Sequence, residues 1–292
     1  MHTIDVDPDL LRQSTEVALH AAAETYIHIA GEIDGRIPQL MDTLVPDGPY
    51  AYTIQPEFNA DGTVRTPILT TREGIHDAYV IIRGASALLS VEPLVEIRGL
   101  WYTFQEGLSV GQPKGGEPTG GTMTLAIFPV SSGKGITGEL VWPYVPRAML
   151  GRGEAPADAP TDPVRIRRAV IALHDRFLNA FRAGDVDSMI ETLNDDVQGA
   201  VRDYVNDTGT LIELRGKDEH RAFYGALFEK YEIRSVELLD RVAQDWYVFA
   251  EFRVTVNSHG ADAPIAFHIA EYAVTAKDGR FMVHIGHGTD PA

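Results

Sequence analysis

The chain has 292 residues, of which 44% are hydrophobic and 23% are charged, and its formal net charge is −17. This length predicts about two domains that each bury a core, and the composition is typical of a globular protein in water. The acidic balance excludes the clustered cations that binding to nucleic acid or to anionic membranes requires, and the chain has no cysteine for a disulfide, a thiolate metal site or a nucleophile.

The first half predicts three helices followed by strands. The first helix covers residues 8–31, with Asp7 as its cap and Pro8 in its first turn. Asp61-Gly62 predicts a turn, and the glycine- and proline-rich residues 111–118 predict a long hairpin loop. The other predicted elements are helices at 37–44 and 71–83 and strands at 49–55, 94–110, 122–130 and 136–145.

The second half repeats this order of elements. Its first helix begins near Pro163 and carries an apolar face at helical spacing, made by Ile166, Val170, Leu173, Phe177 and Phe181. Helices at 186–193 and 218–231 and strands at 236–256, 265–275 and 281–287 follow.

A short internal repeat supports two related domains. Residues 30–37 (AGEIDGRI) align with residues 183–190 (AGDVDSMI), and Leu40 then falls opposite Leu193. A period of this length indicates two whole domains rather than a solenoid. We therefore expect one domain at 1–150, a linker at 151–163 and a second domain at 164–292.

The order of helices and strands predicts the α+β class. Three segments carry a family resemblance: 181–187 (FRAGDVD), 216–224 (GKDEHRAFY) and the final hairpin with EYAV and KDGRF. They make the chain resemble the NTF2-like (SnoaL-like) superfamily, closely over 164–290 and more loosely over 10–146. The resemblance implies tandem cones, each a curved antiparallel sheet wrapped on helices. It also implies cofactor-free enzymes for apolar small molecules, or proteins that only bind ligands or scaffold partners.

The final hairpin supplies the catalytic candidates. Alternate residues of 281–287 form an apolar face that ends in His287. A two-residue Asp278-Gly279 turn places His268 and Tyr272 beside His287, whereas a three-residue loop places Glu271 there. We favour the first register, and either set offers an imidazole that titrates near neutral pH for proton transfer.

Substrate-binding candidates come from both domains. The second domain offers His174 and Tyr224, and the first offers Tyr26, His28, Tyr52 and Trp101 as aromatic and polar groups suited to an aromatic ring. His284 faces away from His287 in a regular strand and makes a poor metal pair with it. We expect no metal and no cofactor.

These features predict a cofactor-independent lyase or isomerase that acts by acid–base chemistry on an apolar aromatic or polycyclic molecule, through elimination, dehydration or retro-aldol cleavage. One alternative is an epoxide hydrolase/cyclase of the tandem-cone type, which needs two acids in one cone, such as Asp175 with Glu271. Another is a non-catalytic ligand-binding or scaffold protein. We expect no nucleic-acid or membrane partner, a pseudo-dimer within the chain or a homo-oligomer, and a cytoplasmic location, because residues 1–7 lack the features of a signal peptide.

Overall fold

The computed structural model describes residues 8–53, 56–131, 133–152, 154–258 and 263–292, with side chains from residue 12 onward. The predicted cap Asp7 and the end of the predicted strand at 49–55 lie outside these residues. The chain divides into two compact units. The first unit contains Met1–Tyr52 and Leu69–Tyr144, and the second contains Thr53–Ile68 and Val145–Ala292.

The first unit packs three helices against a curved antiparallel sheet. The helices are α1 (Pro8–Asp34), α2 (Ile37–Asp42) and α3 (Arg72–Ala85), and the Thr71 side chain caps α3 by accepting from the Gly74 amide. The strands up to residue 144 are β1 (Ala51–Thr53), β2 (Glu57–Phe58), β3 (Val64–Arg65), β4 (Ile68–Leu69), β5 (Ser86–Arg98), β6 (Tyr102–Pro113), β7 (Thr122–Ser131), β8 (Gly135–Ile136) and β9 (Gly138–Pro143). The sheet order is β4-β1-β9-β7-β6-β5, with β8 paired to β7, while β2 and β3 form a separate hairpin that belongs to the second unit.

The second unit has the same layers. Its helices are α4 (Pro163–Ala183), α5 (Val186–Glu191) and α6 (Gly216–Lys230). Its six-stranded sheet has the order β11-β10-β15-β14-β13-β12. The strands are β10 (Leu193–Arg202), β11 (Leu211–Arg215), β12 (Tyr231–Ala243), β13 (Tyr247–Ser258), β14 (Ile265–Thr275) and β15 (Phe281–Gly288). The fold is α+β, with two sheet-bearing bodies, each of which is consistent with a cone.

Helix α4 forms where local chemistry predicts it. The Asp162 carboxylate accepts a hydrogen bond from the Arg165 amide at 3.0 Å, and Pro163 occupies the first turn. Gly184 ends the helix in the left-handed conformation, with φ at 64°. The predicted apolar face is buried against the sheet at Val170, Leu173, Phe177 and Phe181, with Ile166 partly buried beside them.

Three predictions about strands were wrong. The segments predicted as single strands at 94–110 and 236–256 are each two strands, joined by tight turns in which the Gly99 amide bonds the Tyr102 carbonyl and the Gln244 amide bonds the Tyr247 carbonyl. Strands β10 and β11 were not predicted, because β10 pairs in parallel with the distant β15 and mixes polar and apolar residues. The hairpin loop predicted at 111–118 lies three residues later, between the end of β6 at Pro113 and the start of β7 at Thr122.

Among the described residues, no helix combines the length and apolarity needed to cross a membrane.

Candidate functional site

In the final hairpin, the loop has the three residues of the second predicted alternative, whereas the strand register is that of the first. The Ala276 amide bonds the Arg280 carbonyl at 2.9 Å, which leaves a three-residue loop that ends in Gly279 with φ at 76°. A register shift after Val274 then places Ala270 opposite His287, which is the register expected from a two-residue turn. The bulge therefore offsets the extra loop residue before the strand reaches the candidate site.

The side chains that face the helices are not those of the favoured set. Glu271 and His284 lie on the helix-facing side of the sheet, where the His284 ring packs edge-on against Phe177 of α4 at 5.2 Å between centroids. Tyr272 and His287 share the opposite face with each other, as the first register requires. Glu271 and His284 line the aromatic cavity, and His287 borders the same cavity at the end of β15, so its catalytic role stays a prediction.

A hydrogen-bonded chain of three residues links the sheet to α6. Nε2 of His284 lies 2.8 Å from Oε2 of Glu271, and Nδ1 lies 3.2 Å from the Tyr224 hydroxyl. A carboxylate only accepts, so Nε2 carries the proton of a neutral imidazole and Nδ1 accepts from Tyr224. The second oxygen of Glu271, Oε1, lies 3.9 Å from Nε2 of His174, which is too far for a hydrogen bond.

Burial holds the neighbouring groups neutral. Burial lowers the pKa of His174 to about 4, against a smaller opposing effect of Glu271. Burial, and then the charge of Arg202, lowers the pKa of His287 to about 3. Burial raises the pKa of Tyr224 well above its usual range, so its hydroxyl stays a proton donor. His284, by contrast, has a carboxylate as a direct hydrogen-bond partner.

This chain lies on the wall of a small aromatic cavity of about 40 Å³. That volume accommodates a few water molecules, whereas drug-sized ligands occupy at least about 300 Å³. A larger ligand must therefore displace side chains of the lining. The lining residues are Phe177, Phe181, Val201, Arg202, Tyr204, Phe223, Tyr224, Leu227, Phe252, Ile269, Glu271, His284, Gly286 and His287.

Other candidates of the second unit lie outside the cavity. His268 is partly exposed on the opposite sheet face, and its Nδ1 lies 3.1 Å from Glu251. Asp175 pairs with Arg241 near the surface instead of joining Glu271. The residue after an inward-facing His174 turns away from the core because successive helical residues differ by about 100°. The expected pair of Asp175 with Glu271 does not form.

The first unit gathers two of its predicted residues around a carboxylate. The Tyr79 hydroxyl donates to Oε2 of Glu139 at 2.7 Å and also lies 2.9 Å from Nε2 of His28. The ring of Tyr52 packs edge-on against that of Tyr79 at 6.5 Å between centroids. His28 and Tyr52 are both buried, with exposed fractions of 0% and 3%.

A second carboxylate stands beside this group. Arg83 donates to Oε1 of Glu32 at 2.7 Å, yet burial, and next the charge of Glu139, raise the pKa of Glu32 to about 7. Glu32 and Glu139 border a cavity of about 260 Å³. The predicted Tyr26 and Trp101 do not line it: Tyr26 bonds Glu96 at an exposed site, and Trp101 packs on Tyr102 at 4.9 Å.

Sequence reasoning missed the carboxylates of the first unit and the role of His284. Glu32 follows His28 by four residues, one helical turn, so both lie on one face of α1. Glu139 precedes Val141 by two residues in β9, and both line the cavity. These spacings were available signals, but nothing local tells which face of a strand turns toward the helices.

The two units place a tyrosine and a polar strand residue in matching positions. In each unit a helix tyrosine bonds a residue 60 positions later in the last strand, Tyr79 with Glu139 and Tyr224 with His284. The pairing of the neighbouring strands also corresponds. Val141, two residues after Glu139, lies opposite Ala126, and Gly286, two residues after His284, lies opposite Glu271.

Comparison with known proteins covers mainly the second unit. Residues 174–284 match the family model described as SnoaL-like domain. No curated protein matches the chain.

Several solved structures share local similarity. A hypothetical protein with ketosteroid isomerase-like fold from Catenulispora acidiphila has 11% identity over 39% of this chain and 82% of its own, with a TM-score of 0.34. An NTF2-like protein from Burkholderia xenovorans has 14% identity, 42% and 91% coverage and a TM-score of 0.36. An LEH-like epoxide hydrolase from M. tuberculosis has 19% identity, 44% and 84% coverage and a TM-score of 0.33. Residues 174–284 of this chain are therefore similar to a SnoaL-like domain.

Proposed function

We propose that the second unit catalyses cofactor-independent proton transfer, as a lyase or isomerase, on a small apolar molecule with an aromatic or polycyclic skeleton. The observation that carries this proposal is the hydrogen-bonded chain Glu271–His284–Tyr224 on the wall of an aromatic cavity. An apolar cavity with a few convergent polar groups is the usual form of a small-molecule site.

Glu271 is the proposed base. Its Oε2 is held by His284, while Oε1 has no nitrogen within hydrogen-bond distance among its described histidine neighbours. Oε1 takes a proton from an acidic carbon of the substrate, and the charge moves onto a substrate oxygen. The Tyr224 hydroxyl then donates to that oxygen instead of to His284.

The fate of the proton separates the two reaction types. In an isomerase, Glu271 returns the proton to another carbon of the same molecule. In a lyase, the electron pair expels a leaving group, and Glu271 supplies the proton to that group. Both sequences balance without a redox cofactor.

The aromatic lining fits a planar, apolar substrate. Phe177, Phe181 and Phe252 offer ring faces and edges to a substrate. Because these rings exclude water from the cavity, hydrogen bonds at Glu271 are stronger there. Entry of a ring system requires the lining to move, and Phe223 at 8% exposed lies nearest to the surface among the aromatic members. A substrate smaller than a sterol is therefore the better fit.

The proposal is tested by hydrogen–deuterium exchange into carbon acids. Aryl ketones and cyclic enones are incubated with the full chain in D₂O, and loss of the acidic C–H signal is followed by NMR. We expect exchange by the wild type and a loss of at least about 100-fold in Glu271→Gln, the usual size of an acid–base contribution. Glu251→Gln is the matched control, because Glu251 bonds His268 on the other sheet face.

Equal exchange by wild type and Glu271→Gln would overturn the assignment. Binding of the same compounds without exchange would favour the ligand-binding or scaffold alternative. The epoxide hydrolase alternative lacks support in this cavity, because Glu271 is the only carboxylic acid among its described lining residues.

We further propose that the first unit is a diverged second copy of this domain. The matching tyrosine pairs and strand registers support this proposal, while Glu139 in place of His284 indicates a different chemistry. The pseudo-dimer or homo-oligomer and the cytoplasmic location stay predictions.

A further inference from the structure

We propose that the first unit binds one divalent transition-metal ion between Nε2 of His28 and the carboxylates of Glu32 and Glu139. The ligand atoms of these three residues all lie within 4.8 Å of one another. Nε2 of His28 and Oε2 of Glu139 are 3.5 Å apart, close to the roughly 3.4 Å edge of a tetrahedron with metal–ligand distances of about 2.1 Å. This site shares no residue with the proposed site of the second unit.

Thr43 prepares His28 to act as a ligand. The Thr43 hydroxyl donates to the Leu40 carbonyl at 2.6 Å, so it accepts from Nδ1 of His28, also at 2.6 Å. Nδ1 of His28 is therefore the donor to Thr43, which leaves Nε2, at 2.9 Å from the Tyr79 hydroxyl and 3.5 Å from Oε2 of Glu139, available to a metal. A hydrogen bond on the remote nitrogen is how metal-binding histidines are usually oriented.

Each carboxylate also has its own outer partner. Arg83 holds Oε1 of Glu32 at 2.7 Å, and the Tyr79 hydroxyl holds Glu139 at 2.7 Å. These contacts fix both carboxylates next to His28 while leaving further oxygen lone pairs for a metal. Such outer contacts are nearly as important for metal affinity as the ligands themselves.

An independent observation is the hydroxyl of Tyr52. Tyr52 is 3% exposed, and its hydroxyl has no hydrogen-bond partner among the described residues. Its neighbours are Glu139, Tyr79 and Glu32, so this hydroxyl lies beside the same group of ligands. Buried polar atoms are rarely left unsatisfied, and a metal-bound water would satisfy this one.

Charge and access also favour a cation. Two carboxyl groups share this site with a single arginine, Arg83, and a divalent ion between them offsets their mutual repulsion. The adjoining cavity of about 260 Å³ leaves one side of the site open. Three protein ligands with an open position are typical of catalytic sites, and one imidazole with two carboxylates suits Zn²⁺, Fe²⁺ or Mn²⁺.

The test is metal binding by the full chain after treatment with a chelator. Zn²⁺ and Co²⁺ are titrated by calorimetry, and Co²⁺ is also followed by its visible absorption. We expect one saturable site and loss of at least tenfold in affinity in His28→Ala and Glu139→Gln. His76→Ala is the control, because His76 pairs with Asp77 at an exposed position. This variant should bind the metal with the affinity of the wild type.

The proposal fails if the wild type takes up no ion saturably, or if Glu139→Gln binds as tightly as the wild type. Circular dichroism reports whether the variants fold. If they do not, the wild-type Co²⁺ spectrum decides, because absence of the intense bands of a four- or five-coordinate ion overturns the site. Carbon-acid exchange by the second unit is measured separately. A loss of that exchange concerns the proposed role of Glu271 and does not bear on the metal site.

Discussion

Replacing His220 with asparagine should make the second unit less sensitive to acid. His220 of α6 is 0% exposed, and its Nδ1 lies 2.8 Å from the Gly216 carbonyl. A carbonyl only accepts, so Nδ1 carries the proton of the neutral ring. Nε2 has no hydrogen-bond partner among the described residues. Protonation would place a charge at Nε2 without an acceptor, which explains why burial lowers the pKa of His220 to about 4.

The sign and size of the effect follow from linkage. The folded pKa lies below the usual histidine pKa of 6.5, so the neutral ring contributes stability that is fully present above pH 6.5 and is lost as the pH falls toward 4. At about 1.36 kcal/mol per pKa unit, the shift corresponds to roughly 3 kcal/mol of unfolding free energy. His220→Asn keeps a donor for Gly216 and removes the titration, at a cost of about 1–2 kcal/mol for the vacated volume at neutral pH.

The measurement is urea unfolding at several values between pH 7.5 and pH 4.5. Each unit can unfold separately, so the transition is followed by far-ultraviolet circular dichroism and by tryptophan fluorescence. His174 and His287 titrate in both proteins, and the comparison of wild type with variant removes their shared contribution. We expect the wild type to lose about 2–3 kcal/mol more than His220→Asn over this range. Parallel loss in the two proteins would refute the reasoning.

Four other substitutions test the packing around the site. Gly199→Ala should destabilise by about 1–3 kcal/mol, because its Cβ would lie 2.6 Å from Nε2 of His220, and combining it with His220→Asn should recover part of that loss in the same urea assay. Phe177→Ala should cost about 3–5 kcal/mol and lower Tm, since its ring contacts Tyr224 and His284, and an unchanged Tm would contradict its place in the core. Tyr224→Phe should cost about 1 kcal/mol in unfolding and slow carbon-acid exchange, and unchanged exchange would remove Tyr224 from the mechanism. Gly184→Ala should cost about 1–2 kcal/mol by thermal unfolding, because its φ of 64° is unfavourable for a residue with a Cβ.

The division of the chain also affects how variants should be designed. Residues Thr53–Ile68 belong to the unit formed by the second half of the chain. The Arg65 guanidinium lies 3.7 Å from Glu213 of β11 within that unit. A cut at residue 150 would therefore separate the β2–β3 hairpin from its unit, and the full chain is the appropriate material for each experiment.

Local features of the sequence determined the class of elements and several of their ends. Asp162 and Pro163 predict the start of α4, because capping and a fixed φ act within a few positions. The apolar spacing of Val170 and Phe177 likewise predicts which face of α4 is buried. These signals depend on neighbouring residues, so no knowledge of the rest of the chain is needed to interpret them.

Only the tertiary structure decided which polar side chains meet. Glu271 and Tyr272 are adjacent in β14 and point to opposite faces, and the sequence does not state on which face the helices pack. The bulge after Val274 changes the register by one residue, and this shift decides that Ala270 lies opposite His287. The meeting of His28 with Glu139 likewise joins the first helix of the unit to its last strand. Such pairs form because burial of the whole sheet face, rather than any local preference, selects one register and one side for the helices.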